Sequence, residues 1–200
     1  MSGSTELNAS VSQPAPEAAL TPVAAQQLRQ AFAGFPTGIT VVAALVDGRP
    51  VGMLANSFSS VSLDPPLAAL SFARTSTTWP LLRRSPQWGV SVLDEHHKDD
   101  FARLSRPAAT RFDGVDWSAT DRGAVLLDRV TTAFQVSIQT EVDAGDHMLT
   151  LLRVHSLHRS PAHTPLIFYG NQLHSLKTVT PVQLDARTHL AASALEKPGS

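Results

Sequence analysis

The chain has 200 residues and a formal net charge of −1, with 16 Lys and Arg against 17 Asp and Glu, and it contains no cysteine. This length favours one domain with its own hydrophobic core, and the lack of cysteine excludes disulfides, thiolate zinc sites, iron–sulfur clusters and a cysteine nucleophile. The balanced charge argues against nucleic acid or an anionic membrane as a partner.

Residues 1–22 are rich in Ser, Ala, Pro and Thr, a composition that predicts a disordered N-terminal tail. The tail lacks the basic region and the continuous apolar region of a secretory signal. No run of about 18 apolar residues occurs along the chain, so no membrane span is expected. We therefore expect a cytoplasmic protein with one domain over residues 23–180 and a C-terminal tail or short helix over residues 181–200.

A helix is predicted directly after the tail, because good helix formers place apolar side chains along one stripe. The stripe consists of Val23, Ala24, Leu28, Ala31 and Phe32. Gly34 and Pro36 are expected to end this helix.

Strands dominate the next part of the chain. Residues 38–46 are apolar and rich in β-branched side chains, which predicts a strand buried on both faces. Asp47 and Gly48 predict a tight turn into an antiparallel partner, and residues 67–73 and 88–93 predict two further short strands.

Two short helices are predicted beside these strands. The first lies within residues 76–85, with Pro80 in its first turn, and the second lies within residues 94–105, with Asp94 as its N-cap.

The clearest alternation of apolar and polar residues lies in residues 133–142 and predicts a half-buried strand. The predicted core face carries Phe134, Val136, Ile138 and Val142, and the predicted polar face carries Gln135, Ser137, Gln139 and Glu141. A turn at Gly145 and Asp146 leads to an antiparallel partner over residues 147–157, and residues 165–176 predict a closing hairpin. Many short strands with few helices predict a mostly β protein, a barrel rather than a parallel α/β sheet.

A polar loop at residues 52–66 is the most informative motif. Its side-chain hydroxyls and amide suit hydrogen bonding along the edge of a polar heterocycle, although an ordinary Ser-rich loop uses the same residues to satisfy turns. The polar members are Asn56, Ser57, Ser59, Ser60 and Ser62.

A second polar segment runs from Ser71 to Pro80. Arg74, Ser76 and Thr78 combine a guanidinium with hydroxyl donors at a predicted helix start, which favours a phosphate site. A plain N-cap is the alternative reading of the same residues.

The histidines predict one functional candidate. His147 follows Asp146 in a turn, where Asp146 can orient the imidazole towards a ligand, but Asp-His pairs in turns are often structural. His96 and His97 are predicted to be solvated in a charged helix. The three-residue spacing of other strand histidines argues against a metal pair there, and no metal site is expected. No G-x-S-x-G motif indicates a serine hydrolase.

Seven segments together resemble the flavin reductase-like family, the FMN-binding split-barrel group that includes the reductase components of two-component monooxygenases. They are FPTGITVV (35–42), DGRPVGMLANSFSSVSLDPPL (47–67), SFARTSTTWPLL (71–82), WGVSVL (88–93), RFDGVDW (111–117), AGDHMLTLLRV (144–154) and PLIFYG (165–170). The resemblance runs over residues 25–176.

This resemblance implies a homodimeric split barrel that binds FMN, or FAD, reduces it with NADH or NADPH, and passes reduced flavin to a partner monooxygenase. It assigns His147 to the nicotinamide as the catalytic residue. The implied flavin contacts are Thr37, Ala55, Asn56, Ser57, Phe58, Ser59, Ser71, Phe72, Ala73, Arg74, Ser76, Thr77 and Thr78.

Four positions depart from the family pattern: Leu54, Ser91, Leu152 and Leu173. Leu54 stands where Thr is usual and Leu152 where Gly is usual, so we expect these leucines to make the pocket wall drier and narrower and to slow reduction by NADH. A barrel that performs a redox-neutral step, such as a cyclisation, and a non-catalytic flavin carrier remain alternative functions.

Overall fold

The computed structural model describes residues 23–176, which hold three helices, twelve strands and two 3-10 turns. The helices are α1 (Ala25–Ala33), α2 (Trp79–Leu82) and α3 (Lys98–Leu104), and the 3-10 turns are Glu95–His97 and Ala108–Thr110. The strands are β1 (Thr37–Gly38), β2 (Thr40–Val46), β3 (Arg49–Ala55), β4 (Ser59–Ser62), β5 (Leu67–Ala73), β6 (Trp88–Val92), β7 (Trp117–Ala119), β8 (Val125–Leu127), β9 (Thr132–Ala144), β10 (His147–Arg159), β11 (Leu166–Tyr169) and β12 (Gln172–Ser175).

The strands form one large and two small antiparallel sheets. The large sheet has the order β3-β2-β6-β9-β10-β5-β4, a second sheet has the order β1-β11-β12, and β7 pairs with β8. The sheets do not close into one continuous barrel, so the arrangement is a split barrel. The predicted mostly β fold with a few short helices is confirmed.

The position of β2 between two core clusters explains why residues 41–46 are all apolar. Val41 and Ala43 belong to one core cluster, whereas Val42 and Ala44 belong to the other. Alternate side chains of a strand point to opposite faces, so a strand between two cores needs apolar residues at every position. Both residues of the following turn, Asp47 and Gly48, have positive φ, as a two-residue hairpin turn requires.

The long β9–β10 hairpin departs from the predicted alternation. Its register shifts between Ile138 and Thr140, which leaves Gln139 as the extra residue of a β-bulge. Past the bulge the faces exchange, so Glu141 becomes half-buried and Val142 is 48% exposed. The prediction that Val142 lies on the core face is therefore wrong, because a bulge resets the two-residue period.

His97 corrects a second prediction. Its side chain is buried, with Nδ1 2.8 Å from Oδ1 of Asp94 and Nε2 2.9 Å from the carbonyl oxygen of Asp128. His97 was expected to be solvated because charged residues flank it, but it ties the helical turn to the loop before β9. Asp94 caps that turn as predicted, accepting a hydrogen bond from the His96 amide at 2.9 Å.

The predicted tails at residues 1–22 and 181–200, and the last residues of the predicted domain, lie outside the described residues. Within residues 23–176, none of the helices has the length and apolar character needed to cross a membrane.

Candidate functional site

The end of β3 and the loop that follows it are hydrogen-bonded to β2 and β5. Thr40 Oγ1 donates to the carbonyl oxygen of Ala55 at 2.9 Å. The hydroxyl of Ser57 accepts from the Ser71 amide at 3.0 Å and lies 3.3 Å from the Ser71 carbonyl oxygen, to which it donates. These bonds hold the loop against the end of β5 and leave the side chains of Asn56 and Ser59 exposed.

His147 lies beside the same strand end. It is the first residue of β10 and pairs with Ala73 of β5, and the Arg74 amide donates to the Asp146 carbonyl oxygen at 3.0 Å. The fold therefore brings together the loop at residues 55–59, the end of β5 and His147, three segments that are far apart in sequence.

Asp146 orients the imidazole of His147. The Asp146 Oδ1 atom lies 2.7 Å from Nδ1 of His147, and this hydrogen bond holds the pKa of Asp146 below its usual value. With Nδ1 engaged, Nε2 is the ring nitrogen available to a ligand. The His147 side chain is 43% exposed, so solvent and small molecules can reach it.

A cleft of about 420 Å³, here called the His147 cleft, opens between α1, the loop at residues 55–59 and the β11–β12 hairpin. Its lining residues are Arg29, Phe32, Ala33, Phe35, Asn56, His147, Phe168 and Asn171. Sequence reasoning selected Asn56 and His147 but missed the other six as site residues. Phe35 and Phe168 lie in short matching segments, which was the one signal available for them.

Arg74 and Ser76 each have a structural partner. The Arg74 guanidinium is 47% exposed, donates to the Gly145 carbonyl oxygen at 3.0 Å and pairs with Asp143. Ser76 Oγ accepts from the Trp79 amide at 3.1 Å, whereas Thr78, the N-cap of α2, makes no side-chain capping bond. Thr77, which follows Ser76 in the sequence, is exposed.

Thr78 faces the interior. Its hydroxyl is buried and accepts from the Arg111 guanidinium at 3.3 Å, and the same guanidinium donates to the Gly52 carbonyl oxygen. Burial lowers the pKa of Arg111. Sequence reasoning missed Arg111, because nothing local links it to residues more than thirty positions away.

Two aromatic side chains among the predicted flavin contacts also point inward. Phe72 is buried and packs against Trp79 and Trp88, with ring centroids 6.3 Å and 5.8 Å away, and Phe58 packs 5.4 Å from Phe134. Because both side chains pack in the core, Phe58 and Phe72 would contact a flavin through their backbone groups.

Thr37 lies in β1, where it pairs with Phe168 of β11, a residue that lines the cleft. Its hydroxyl oxygen is buried and has no hydrogen-bond partner within the described residues. A buried hydroxyl without a partner is costly, so this atom is suited to meet a polar group of a ligand.

The four departures from the family pattern lie in or against the core. Leu152 is completely buried in one cluster, while Leu54 and Leu173 pack against the other. Ser91 is also completely buried, and its hydroxyl accepts from the Leu127 amide at 3.0 Å. Leu152 does not line the His147 cleft, because its side chain projects from one face of the large sheet into a core cluster, and its effect on the ligand pocket stays a prediction.

Residues 32–177 match the family model described as flavin reductase like domain. The chain belongs to the flavin reductase-like family. Its split barrel is similar to the Streptomyces globisporus C-1027 NADH:FAD oxidoreductase SgcE6, with 33% identity and a TM-score of 0.71 over 80% of this chain and 98% of that one. A second similar structure is SgcE6 in complex with NAD and FAD fragments, with 32% identity and a TM-score of 0.69 over 80% of this chain and 94% of that one.

Named relatives include reductase subunits. The chain is 39% identical over 128 residues, 64% of its length, to the stachydrine N-demethylase reductase subunit Stc3 of Rhizobium meliloti, covering 56% of that protein. It is 33% identical over 147 residues to the flavin-dependent monooxygenase reductase subunit HsaB of Rhodococcus jostii, covering 74% of this chain and 75% of that one. The chain thus spans about half the length of some curated relatives, 56% in Stc3 and 43% in a probable flavin reductase of Rhizobium meliloti.

Proposed function

We propose that this chain is an NAD(P)H:flavin oxidoreductase that binds FMN or FAD and supplies reduced flavin to a partner monooxygenase. Family membership supports the flavin chemistry, and several relatives are named as reductase subunits or components of flavin-dependent monooxygenases. The observation that carries the proposal is the meeting of the loop at residues 55–59, the end of β5 and His147 at one cleft.

The side chains at the His147 cleft fit a flavin. Asn56 offers an exposed amide that can donate and accept, and the unpartnered hydroxyl of Thr37 can meet a polar edge. Phe35 and Phe168 provide the apolar surface that a fused ring system needs. When bound, the flavin supplies the hydride and electron chemistry, and the protein contributes orientation and electrostatics.

The proposed role of His147 is to hold the nicotinamide. Asp146 fixes the ring through Nδ1, so Nε2 can hydrogen-bond a polar group of the dinucleotide. Replacing His147 by Ala should lower kcat/KM for NADH by about 1–3 kcal/mol of transition-state free energy while changing flavin affinity less.

The matched control is His158→Ala, which removes an exposed imidazole from the far end of the same strand. Steady-state kinetics and a flavin titration on both variants separate the two roles. Unchanged NADH kinetics in His147→Ala would return this histidine to a structural role.

The phosphate of the flavin is proposed to lie beside Arg74, just before α2, within the segment that the resemblance implies. Arg74 and the neighbouring Thr77 are exposed and can donate to a phosphate, while Ser76 and Thr78 already hold the chain around α2. Arg74→Gln should therefore weaken FMN binding in a fluorescence-quenching titration. Equal FMN affinity in Arg74→Gln and the parent would contradict the assignment of the phosphate to this position.

A homodimer in the cytoplasm is part of the proposal. Val23, Phe32 and Phe35 are 61%, 69% and 71% exposed, which is unusual for large apolar side chains clustered at one helix. Phe32 and Phe35 also line the His147 cleft, so a second copy covering α1 would help to enclose the ligand. Light scattering should give twice the 21.4 kDa chain mass, and a species of the single-chain mass at micromolar concentration would contradict the dimer.

One relative favours a second candidate function. The chain is 36% identical over 150 residues, 85% of that protein, to the actinorhodin polyketide dimerase of Streptomyces coelicolor. A step on a polyketide is therefore the alternative. Visible spectra of the purified protein with FMN, recorded anaerobically before and after adding NADH, distinguish the two. Rapid bleaching of the flavin supports the reductase, and flavin that stays oxidised supports the alternative.

A further inference from the structure

A group of imidazole and carboxylate side chains lies at the other end of β10 from the His147 cleft. Asp94 follows β6, His96 lies in the 3-10 turn after it, and His163 lies in the connection between β10 and β11. One ligand atom from each of the three residues lies within 4.8 Å of the others. His163 is 67 positions from His96, so the sequence shows no motif that joins them.

The two oxygens of Asp94 have different surroundings. Oδ1 accepts from the His96 amide at 2.9 Å and lies 2.8 Å from Nδ1 of His97. Oδ2 faces two imidazoles, with Nδ1 of His163 at 2.5 Å and Nδ1 of His96 at 3.4 Å. One oxygen is therefore fixed by the fold, and the other is directed at two nitrogen atoms that can bind a metal.

From this geometry we propose that Asp94, His96 and His163 bind one Zn²⁺ ion or a similar late divalent transition metal. Two imidazole nitrogens and one carboxylate oxygen form a donor set that such ions prefer, and imidazole donors disfavour Mg²⁺ and Ca²⁺. The buried His97 acts as the outer partner that holds the ligating carboxylate, as is usual around metal ligands.

The distances allow the ion after a small adjustment. Zinc bonds of about 2.0–2.2 Å in a tetrahedral arrangement put neighbouring ligand atoms about 3.3–3.6 Å apart. The distance of 3.4 Å between Oδ2 of Asp94 and Nδ1 of His96 already fits this geometry. The distance of 2.5 Å between the same oxygen and Nδ1 of His163 must lengthen for an ion to bind. His163 lies between strands rather than within one, so its ring can move without breaking the sheet.

The exposed side chains of His96 and His163 allow an ion to reach the site from solvent. The side chain of Asp94 is 1% exposed, that of His163 is 23% exposed and that of His96 is 53% exposed. The carboxylate therefore forms the floor of the site and His96 its rim. Three protein ligands leave a fourth position for water.

The location predicts a structural role for the metal. The Glu95 amide donates to the Thr164 carbonyl oxygen at 3.2 Å, and the Leu166 amide donates to the Leu93 carbonyl oxygen at 3.0 Å. The metal would add a bond between these two chain segments, just before β11, which carries Phe168 into the His147 cleft. We expect binding to raise the thermal midpoint, because an ion that binds the folded state stabilises it.

The test uses the full chain without an affinity tag, freed of metal by EDTA and titrated with ZnCl₂ by calorimetry. The parent should bind one equivalent, and both His96→Ala and His163→Ala should bind at least about tenfold more weakly. His155→Ala, which removes an exposed histidine that is paired with Ser137 outside the cluster, is the matched control and should bind like the parent.

His96→Ala is expected to fold, because the side chain is exposed and the backbone amide of residue 96 still donates to the capping carboxylate of Asp94. A thermal shift with Zn²⁺ that occurs in the parent and the control, but in neither cluster variant, supports the site. The absence of saturable Zn²⁺ binding by the parent, or equal affinities in the parent and both cluster variants, would overturn it.

Discussion

Replacing Leu152 by alanine removes a side chain that solvent does not reach and leaves a cavity in the core cluster on one face of the large sheet. Leu152 packs in the same cluster as Leu70, Phe72, Trp88 and Val136. Its own strand is hydrogen-bonded to β5 on one side and β9 on the other, so the backbone cannot move in to fill the space. Buried Leu→Ala changes cost about 2.7–5.0 kcal/mol, and the fixed neighbours place this one in the upper half of that range.

The assay is urea unfolding of the parent and the variant, followed by circular dichroism. A loss of about 4 kcal/mol is a large fraction of the 5–15 kcal/mol that stabilises a typical domain. It should lower the thermal midpoint by about 8–16 °C, at roughly 2–4 °C per kcal/mol for a chain of this size.

Leu157→Ala is the matched control, because it makes the same chemical change in the same strand at a side chain that is 63% exposed. Its unfolding free energy should stay within about 0.5 kcal/mol of the parent. Equal losses in Leu152→Ala and Leu157→Ala, or a loss below about 1 kcal/mol for Leu152→Ala, would refute the core assignment.

Two further changes test the close approach of β8 and the orientation of the catalytic candidate. A Cβ at Gly89 would lie 1.9 Å from the Val125 carbonyl oxygen, so Gly89→Ala should lower the free energy of unfolding in urea by about 1–3 kcal/mol or more. At Gly38 a Cβ meets open space, so the control Gly38→Ala should be neutral or slightly stabilising. Equal unfolding free energies for the two variants would contradict the close approach of β8 to Gly89. Asp146→Ala removes the acceptor that holds the ring of His147, so it should lower kcat/KM for NADH without weakening flavin binding, and unchanged NADH kinetics would show that this hydrogen bond is dispensable.

The sequence predicts most of the fold because local signals and long-range packing agree. Residues 67–73 were predicted as a strand and form β5, and the turn at Asp47 and Gly48 has the positive φ angles expected of it. The family resemblance then adds what local patterns lack, the order of strands in a split barrel. Burial on both faces explains why β2 could be recognised from its composition alone.

The parts that escaped prediction depend on residues far apart in sequence. A bulge at Gln139 exchanges the faces of β9, and no local rule distinguishes the residue that is left unpaired. Arg111 reaches Thr78 across thirty-three positions, and His97 is buried because the Asp128 carbonyl lies beside it. The charged composition of the segment predicts solvent exposure, but it does not show that the imidazole of His97 and the carboxylates of Asp94 and Asp100 turn inward.

The paired reversion Leu54→Thr with Leu152→Gly tests whether the family departures change catalysis. The structure places Leu152 in one core cluster and packs Leu54 against the other, so the reversion should remove packing rather than widen the cleft. Glycine deletes the whole side chain and adds about 0.5–1 kcal/mol of backbone cost relative to alanine, so the double variant should be less stable than Leu152→Ala.

Stopped-flow reduction of the bound flavin by NADH should proceed at the parental rate in the folded fraction, because the polar groups at Asn56 and His147 are untouched. The single Leu54→Thr variant, which keeps the buried Leu152 side chain, separates an effect at β3 from one in the core. Faster reduction in the double variant, with circular dichroism showing an intact fold, would mean that the two leucines restrict nicotinamide access after all. An unchanged rate with reduced stability would identify Leu54 and Leu152 as packing residues that do not restrict access of the nicotinamide to the cleft.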